Sequence, residues 1–346
     1  MNKSKTIKVT LFAGGVGGAK LAEGLDNIDN LKLSIIGNVA DDEMFHGLWV
    51  SPDIDTITYT LSGLVNRTQG WGLQNETQNA LSMLKNLDCD TWMMLGDKDF
   101  GLHIYRTERR NKGERPSVIA RDIAKLLKVK SEILLPTDDV IQTKVKTEKG
   151  WLSFQEYFVK EKCIPEVQEI CYEGISQARA NQECIETIQN SDFIVIAPSN
   201  PILSISPILE INGIRSALID SNAPILSVSP LISGKAIKGP AAKNLSSLGM
   251  RSDSLGIAKF YSDFCKLIVV DSKDRHLDEA INALGVSTSF TDIFMNDIDG
   301  KIRIAKHFCI ESISMPFEAT RIARNAALAP DSVVMATIPC CIQATD

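Results

Sequence analysis

Residues 7–20 read IKVTLFAGGVGGAK, and this stretch decides the fold. Residues 7–12 form an apolar run that suits a buried strand. The run breaks into Gly14-Gly15-Val16-Gly17-Gly18, and residues 19–25 behind it read as a helix. Glycines at such a turn let backbone N–H groups approach a phosphate, and the helix N-terminus behind them favours negative charge. The pattern misses the Walker A spacing, because Ala19 stands where the second Gly belongs and Leu21 replaces Ser/Thr. It misses the dinucleotide fingerprint too, because Lys20 occupies the third Gly position. The alternative is a turn that only lets strand and helix pack closely.

Further along, the same unit recurs. Apolar runs at residues 33–36, 91–95, 193–197, 225–228 and 267–270 each end where turn or polar residues begin. Helical patterns lie between them, at residues 76–87, 117–127, 178–189 and 277–284. Strand, polar loop and helix in repetition predict an α/β fold with a doubly wound, mostly parallel sheet. Ligands of such sheets bind at the carboxyl ends of the strands, which is where the polar clusters fall. Residues 143–147 and 151–159 alternate apolar and polar residues around Lys149-Gly150, and predict an antiparallel hairpin inserted into the core. The expected organisation is a core in two parts, 1–131 and 191–300, an inserted α/β segment at 132–190, and a C-terminal extension at 301–346 with no assigned role.

The 346 residues carry 44% hydrophobic and 23% charged side chains, an ordinary globular balance. A net charge of −6 provides no global attraction for nucleic acid. Eight cysteines form no CxxC pair and only four His accompany them, which argues against a zinc site. The chain runs into a β-like segment without a secretory leader or an apolar run of membrane length. The expectation is a cytoplasmic protein with reduced thiols and no membrane partner.

Five clusters can carry chemistry. The glycine turn is the first. The second runs through Asn38-Val39-Ala40-Asp41-Asp42, His46-Gly47 and Ser51-Pro52-Asp53-Ile54-Asp55-Thr56. Four carboxylates in so short a span suit Mg²⁺, which takes one or two carboxylates plus substrate phosphates. The alternative is a solvated loop in which Asp53 or Asp55 caps the helix beginning near Thr56. His46 reads as a hydrogen-bonding group and not as a base. The third cluster, Leu95-Gly96-Asp97-Lys98-Asp99 with His103 and Arg106, can orient a hydroxyl or pair with phosphate, or be a salt-bridged loop. The fourth, Ala197-Pro198-Ser199-Asn200-Pro201, fixes a rigid turn whose polar side chains can read a base or ribose. The fifth, from Ser229-Pro230 to Lys238-Gly239-Pro240, offers lysines and glycines suited to phosphate. No Ser-His-Asp set or activated Cys stands out, which points to a chemistry of positioning and charge clamps.

Together these stretches resemble the 2-phospho-L-lactate transferase family of coenzyme F-420 biosynthesis. The resemblance rests on LFAGGVGGAK at 11–20, Asp41-Asp42 with His46-Gly47-Leu48, SPDIDT at 51–56 with Tyr59-Thr60-Leu61, and Gly70-Trp71-Gly72. It continues through LGDKD at 95–99, His103 with Arg106-Thr107, Pro136-Thr137-Asp138-Asp139, FQEYF at 154–158 and APSNPILSI at 197–205. It ends with Ser229-Pro230-Leu231-Ile232, Lys238-Gly239-Pro240-Ala241 and 271–275. Each motif alone is weak; the ordered set over residues 7–275 is specific.

The resemblance implies a Rossmann-like, Mg²⁺-dependent transferase that forms a homodimer. Its acceptor would be Fo, the 8-hydroxy-5-deazariboflavin precursor. Its donor would be a guanosine diphospho compound carrying phospholactate or a relative such as phosphoenolpyruvate, with GMP leaving. In these roles Asp42 and Asp55 would be catalytic and hold the metal. Gly15, Gly17, Lys20, Lys238 and Gly239 would cradle phosphates. Asp53 and Thr56 would touch substrate, Ser199 and Asn200 would hold the nucleotide, and Gly96 and Asp97 would line the deazaflavin side. Met94 stands where many members carry a basic residue associated with Fo binding; it can pack on a flat ring but cannot donate a hydrogen bond. Asn38-Val39-Ala40 also departs from the more usual Asn-Thr-Gly. The competing reading is a nucleotide-sugar-binding regulator of the gluconeogenesis-factor type, which needs the glycine turn but not the acidic cluster. A nicotinamide dehydrogenase is disfavoured by the off-pattern glycines.

Overall fold

The computed structural model describes residues 6–237 and 239–314, so Lys238 lies outside the described residues. Seven strands build the central sheet: β1 (Ile7–Ala13), β2 (Leu31–Gly37), β3 (Glu132–Leu134), β4 (Phe193–Ile196), β5 (Ile225–Val228), β6 (Leu267–Asp271) and β7 (Ser287–Thr291). Their order is β7-β6-β5-β4-β1-β2-β3, and every pairing is parallel. Ile7 sits opposite Leu31 and Val9 opposite Phe193, so β1 is clasped from both sides. Parallel strands covered on both faces need apolar residues on both faces, which is why they read as continuous hydrophobic runs. All four residues of β4 and of β5 are buried. The chain winds outward from β1 through β2 and β3, then returns to β1's other side with β4. The β1/β4 boundary is therefore the topological switch point, where a crevice opens beyond the strand ends.

Helix α1 (Gly15–Asp26) begins four residues before the expected 19, because the glycines form its first turn. Gly14 is the extended N-cap, and Gly15 enters at φ +59°, a region other side chains avoid. A Cβ on Gly17 would lie 2.6 Å from the Pro198 carbonyl oxygen. Gly17 thus permits α1 to press against the turn that follows β4.

Residues 91–95 are not a strand. β3 pairs directly with β2, and Trp92, Met93 and Leu95 pack instead into a satellite cluster with Phe45, Val50, Leu81 and Phe100. The expected helices are present over narrower spans at Asn79–Asn86, Gln182–Gln189 and Asp278–Asn282, and at Pro116–Leu126. The inserted hairpin forms from Gln142–Thr147 and Gly150–Ser153, and Glu169–Glu173 joins it as a third antiparallel strand. Its second strand does not run on to 159. At Ser153 the chain turns helical, over Glu156–Lys160, because Ser153 and Glu156 cap each other: the Ser153 N–H donates to Glu156 Oε2 at 2.9 Å and the Glu156 N–H to Ser153 Oγ at 3.2 Å. Three further helices matter for the site: α2 (Pro52–Leu61), α3 (Asp97–Asn111) and α4 (Ile298–Ser314), the last packing along α1.

Candidate functional site

Two turns 185 positions apart in the sequence meet at the switch point. The Ser199 hydroxyl donates to the Gly14 carbonyl at 2.7 Å and accepts from the Gly14 N–H at 3.2 Å. Asn200 caps the helical turn Pro201–Ile205, its Oδ1 accepting from the N–H groups of Ile202 and Leu203. The Asn200 Nδ2 is buried with no hydrogen-bond partner, an orphaned donor in a residue that lines the cavity. α1 presents its N-terminus here with no side-chain cap and no acidic residue in its first turn, so its orphan N–H groups and partial positive charge face the crevice.

Above these turns opens a cavity of about 590 Å³. One wall is polar: Gly15, Gly17, Lys20, Asp41, Asp53 and Thr56. Much of the remaining lining is apolar and aromatic, with Trp71, Met93, Met94, Phe154 and Phe158. The rings of Phe154 and Phe158 stack at 5.3 Å with an interplanar angle of 18°. Trp71, Met94 and Phe158 remain 42%, 51% and 41% exposed at the mouth, an apolar surface left open on one side of a polar cradle.

The acidic cluster divides by helical geometry. Pro52 starts α2, and Asp53 and Thr56 stand about one turn apart on the face that lines the cavity. Asp55, two residues from Asp53, falls on the other side. There it grips Arg106 of α3 through both carboxylate oxygens, in a fully buried pair, with His103 Nδ1 3.9 Å away. Asp42 likewise points away from the cavity, accepting from Trp49 Nε1 at 3.0 Å and Ser51 Oγ at 2.6 Å. Asp42 and Asp55, the residues expected to hold a metal, thus do not line the cavity. Their neighbours Asp41 and Asp53 do.

Asn38, at the end of β2, donates to Asp53 Oδ2 at 3.0 Å and accepts the Ala40 N–H, holding the two halves of the cluster together. Gln155 reaches from the inserted segment to the Asp41 carbonyl at 3.0 Å. Asp41 Oδ1 is buried without a partner. Burial, then the nearby Asp53 charge, pushes the Asp41 carboxyl well above its usual range. Burial raises Asp53 to about 6, partly offset by its Asn38 hydrogen bond. Two buried carboxylates that resist ionising side by side are what a cation relieves. No group of three or more ligating side chains exists among the described residues. Two carboxylates open to a cavity fit a Mg²⁺ shared with substrate phosphates and not a closed all-protein cage.

The third cluster is structural. Asp97 caps the helix Asn79–Asn86, accepting from the Asn79 and Ala80 N–H groups, and the hydrogen bond from the Thr77 hydroxyl, followed by these, lowers its carboxyl to about 2. A Cβ on Gly96 would lie 2.2 Å from Glu76 Cδ. Glu76 in turn caps α3 through the Lys98 and Asp99 N–H groups. Neither Gly96 nor Asp97 lines the cavity, although the adjacent Met93 and Met94 do. Gly239 lines it from the fifth cluster. The sequence reading placed Asp41 in the acidic cluster without giving it a role of its own, and did not assign Trp71, Phe154, Gln155 and Phe158 to the site. The Ser153-x-x-Glu156 capping signature was the available signal that residues 154–158 present a helical face.

The family model described as 2-phospho-L-lactate transferase CofD matches residues 9–290. The chain belongs to the 2-phospho-L-lactate transferase family. Its relatives in this transferase family include the 2-phospho-L-lactate transferase of Methanocaldococcus jannaschii, 34% identical, covering 87% of this chain and 98% of that protein. The phosphoenolpyruvate transferase of Streptomyces griseus is 33% identical over 87% of this chain and 96% of its own length. Among solved structures, protein BH3568 of Bacillus halodurans superposes with a TM-score of 0.62 at 18% identity, covering 88% of this chain and all of that one. That likeness establishes a shared fold. The glycine turn, the acidic cluster and the inserted segment of this chain all contribute residues to its cavity. No helix among the described residues is long and apolar enough to cross a membrane.

Proposed function

We propose that this transferase moves a phospholactate-type or phosphoenolpyruvate-type moiety from a guanosine diphospho donor to the deazaflavin Fo, releasing GMP. The observation that carries the reading is the pairing, in one cavity, of a phosphate cradle with an open aromatic wall. The donor diphosphate suits the N–H groups of Gly15 to Gly17 at the α1 N-terminus, with Lys20 one turn further along. Asp41 and Asp53, in place of Asp42 and Asp55, would hold Mg²⁺. When bound, the ion neutralises charge on the diphosphate and on the leaving phosphate.

The flat tricycle of Fo suits Phe158, Trp71 and Met94, and its ribityl chain points toward Asp53. The terminal ribityl hydroxyl forms the new P–O bond at the phosphorus bearing the acid, while the bond from that phosphorus to the GMP phosphate breaks. Asp53 orients the hydroxyl by accepting its hydrogen bond, and the proton of the hydroxyl passes to this carboxylate as the new bond forms. Asn200 Nδ2, buried and unpaired, supplies a donor for an acceptor oxygen of the nucleotide. We place the enzyme in the cytoplasm as a homodimer, the latter checked by its mass in solution.

The test is direct. Purified protein, Fo, Mg²⁺ and each guanosine diphospho donor are combined and the deazaflavin product is weighed by mass spectrometry. A mass gain equal to the phospho-acid supports the reading. No phosphorylated deazaflavin with any donor overturns it, and favours a nucleotide-sugar-binding regulator.

A further inference from the structure

The inserted segment supplies more than rings. Residues 154–158 read FQEYF, and Phe154 and Phe158, four positions apart, stack at the cavity. Between them Gln155 and Tyr157 are 3% and 0% exposed, and both reach out of the segment to grip other parts of the chain. Gln155 Nε2 donates to the Asp41 carbonyl at 3.0 Å. The Tyr157 hydroxyl donates to Asn244 Oδ1 at 3.1 Å, in the helix Ala241–Ser247.

The hold on the acidic loop is threefold. Three successive carbonyls, those of Ala40, Asp41 and Asp42, each accept a hydrogen bond from the insert. The donors are the Thr143 N–H at 2.7 Å, Gln155 Nε2 at 3.0 Å and Gln142 Nε2 at 3.0 Å. Of these three residues Gln155 is the one that also lines the cavity. Asn38 Oδ1 holds the same loop from the sheet side by accepting the Ala40 N–H. Asp41 meanwhile keeps a buried Oδ1 with no protein partner. A ligand carboxylate has to stand within about 0.5 Å of its productive position, and hydrogen bonds from outside the ligand shell are what keep it there.

We infer that Gln155 is a positioning residue for the metal: through the Asp41 backbone it fixes where that carboxylate meets Mg²⁺, while Phe158 on the same turn meets the acceptor. The inference rests on the proposed function. One short stretch of chain then serves metal and acceptor through different side chains. The stretch is anchored independently of Gln155. Tyr157 ties it to Asn244, and the neighbouring Lys243 Nζ donates to the carbonyls of Cys163, Ile164 and Pro165 at 2.6, 2.7 and 3.1 Å. Ser153 and Glu156 cap each other at its start. Replacing Gln155 therefore releases Asp41 while leaving the stacked rings in place.

Direct metal binding tests this. Gln155→Met keeps the length of the side chain and removes the donor. Mn²⁺ is the probe, counted by the electron paramagnetic resonance of the free ion, with guanosine diphosphate present and Fo absent so that no turnover occurs. The expected result is an Mn²⁺ dissociation constant raised about fivefold or more, about 1 kcal/mol. Fo binding, followed by deazaflavin fluorescence, stays within about twofold, about 0.4 kcal/mol. Phe158→Ala gives the reverse pattern. A Gln155 that only supports the fold would weaken both ligands together when replaced. That result, an unchanged Mn²⁺ affinity, or no Mn²⁺ binding by the native chain overturns the inference. Should the Met variant melt early, Gln155→Ala, which lets water reach the Asp41 carbonyl, is read in the same way. If product forms with Fo while Gln155→Met leaves Mn²⁺ affinity unchanged, the Gln155 assignment fails and the transferase reading stands. No product with any donor overturns both.

Discussion

Replacing Asp55 tests the division of the acidic cluster. Asp55 and Arg106 are 4% and 5% exposed and joined through both oxygens of the carboxylate, so each neutralises the other inside the protein. Removing one partner leaves a buried charge without compensation, which costs about 3–5 kcal/mol. Asn keeps an acceptor for the guanidinium and falls near about 3 kcal/mol, whereas Ala falls near about 5. Against a total stability of about 5–15 kcal/mol, either loss is large. The double variant Asp55→Leu/Arg106→Met removes both charges together and costs less than either single change, because no orphan remains. Urea denaturation followed by circular dichroism, run as a double-mutant cycle, measures all three. If Asp55→Asn unfolds within about 0.5 kcal/mol of the native chain, the buried pair is not what fixes α3 against α2. In that case Asp55 would have to be returned to the chemistry.

Other outcomes follow from the same geometry. Asp53→Asn should raise the Mg²⁺ concentration for half-maximal turnover about tenfold or more while leaving the fold intact, and in the native enzyme Mg²⁺ affinity should climb with pH as Asp53, raised to about 6, ionises. Unchanged Mg²⁺ titrations in that variant would remove Asp53 as a ligand. Asp42 is raised to about 7 by burial, so the folded chain retains a proton that the unfolded chain releases above about pH 4, and stability contributed by this group declines as pH rises from about 4 to 7. Asp42→Asn should therefore show a smaller fall in urea midpoint between about pH 5 and about pH 8 than the native chain; an equal fall refutes the assignment. Phe158→Ala should raise the KM for Fo about tenfold, the worth of one stacked ring, and leave the donor KM unchanged. Equal effects on both KM values would mean that the aromatic wall does not select the acceptor.

Much of this was legible in the residues. Runs such as 193–197 and 225–228 announce buried parallel strands because both faces are covered, so periodicity and burial say the same thing. Residues 91–95 carry the same composition and are not a strand, because nothing local distinguishes a sheet strand from a segment that packs into a satellite cluster. The glycine turn and the Pro198-Ser199-Asn200 turn were recognisable as strand-end features, but that Ser199 grips Gly14 depends on strand order, which adjacent residues do not encode. The acidic cluster was found, but which of its members line the cavity was not. A helix starting at Pro52 separates Asp53 from Asp55 by about 200° around its axis, so only one of them can face the ligand. Which one does so depends on where Arg106 lies, half a domain away in sequence.

The hydroxyl of Ser199 bridging to Gly14 spans 185 positions of chain. A polypeptide emerging from the ribosome has its glycine turn from the outset, yet no cleft until β4 has been made and inserted beside β1. Ligand capture is therefore unavailable to any product truncated before β4, and neither substrate can act as an early scaffold for the growing chain. A split between the hairpin insert and β4 would yield two pieces that recover affinity only by reassociating across the middle of the sheet.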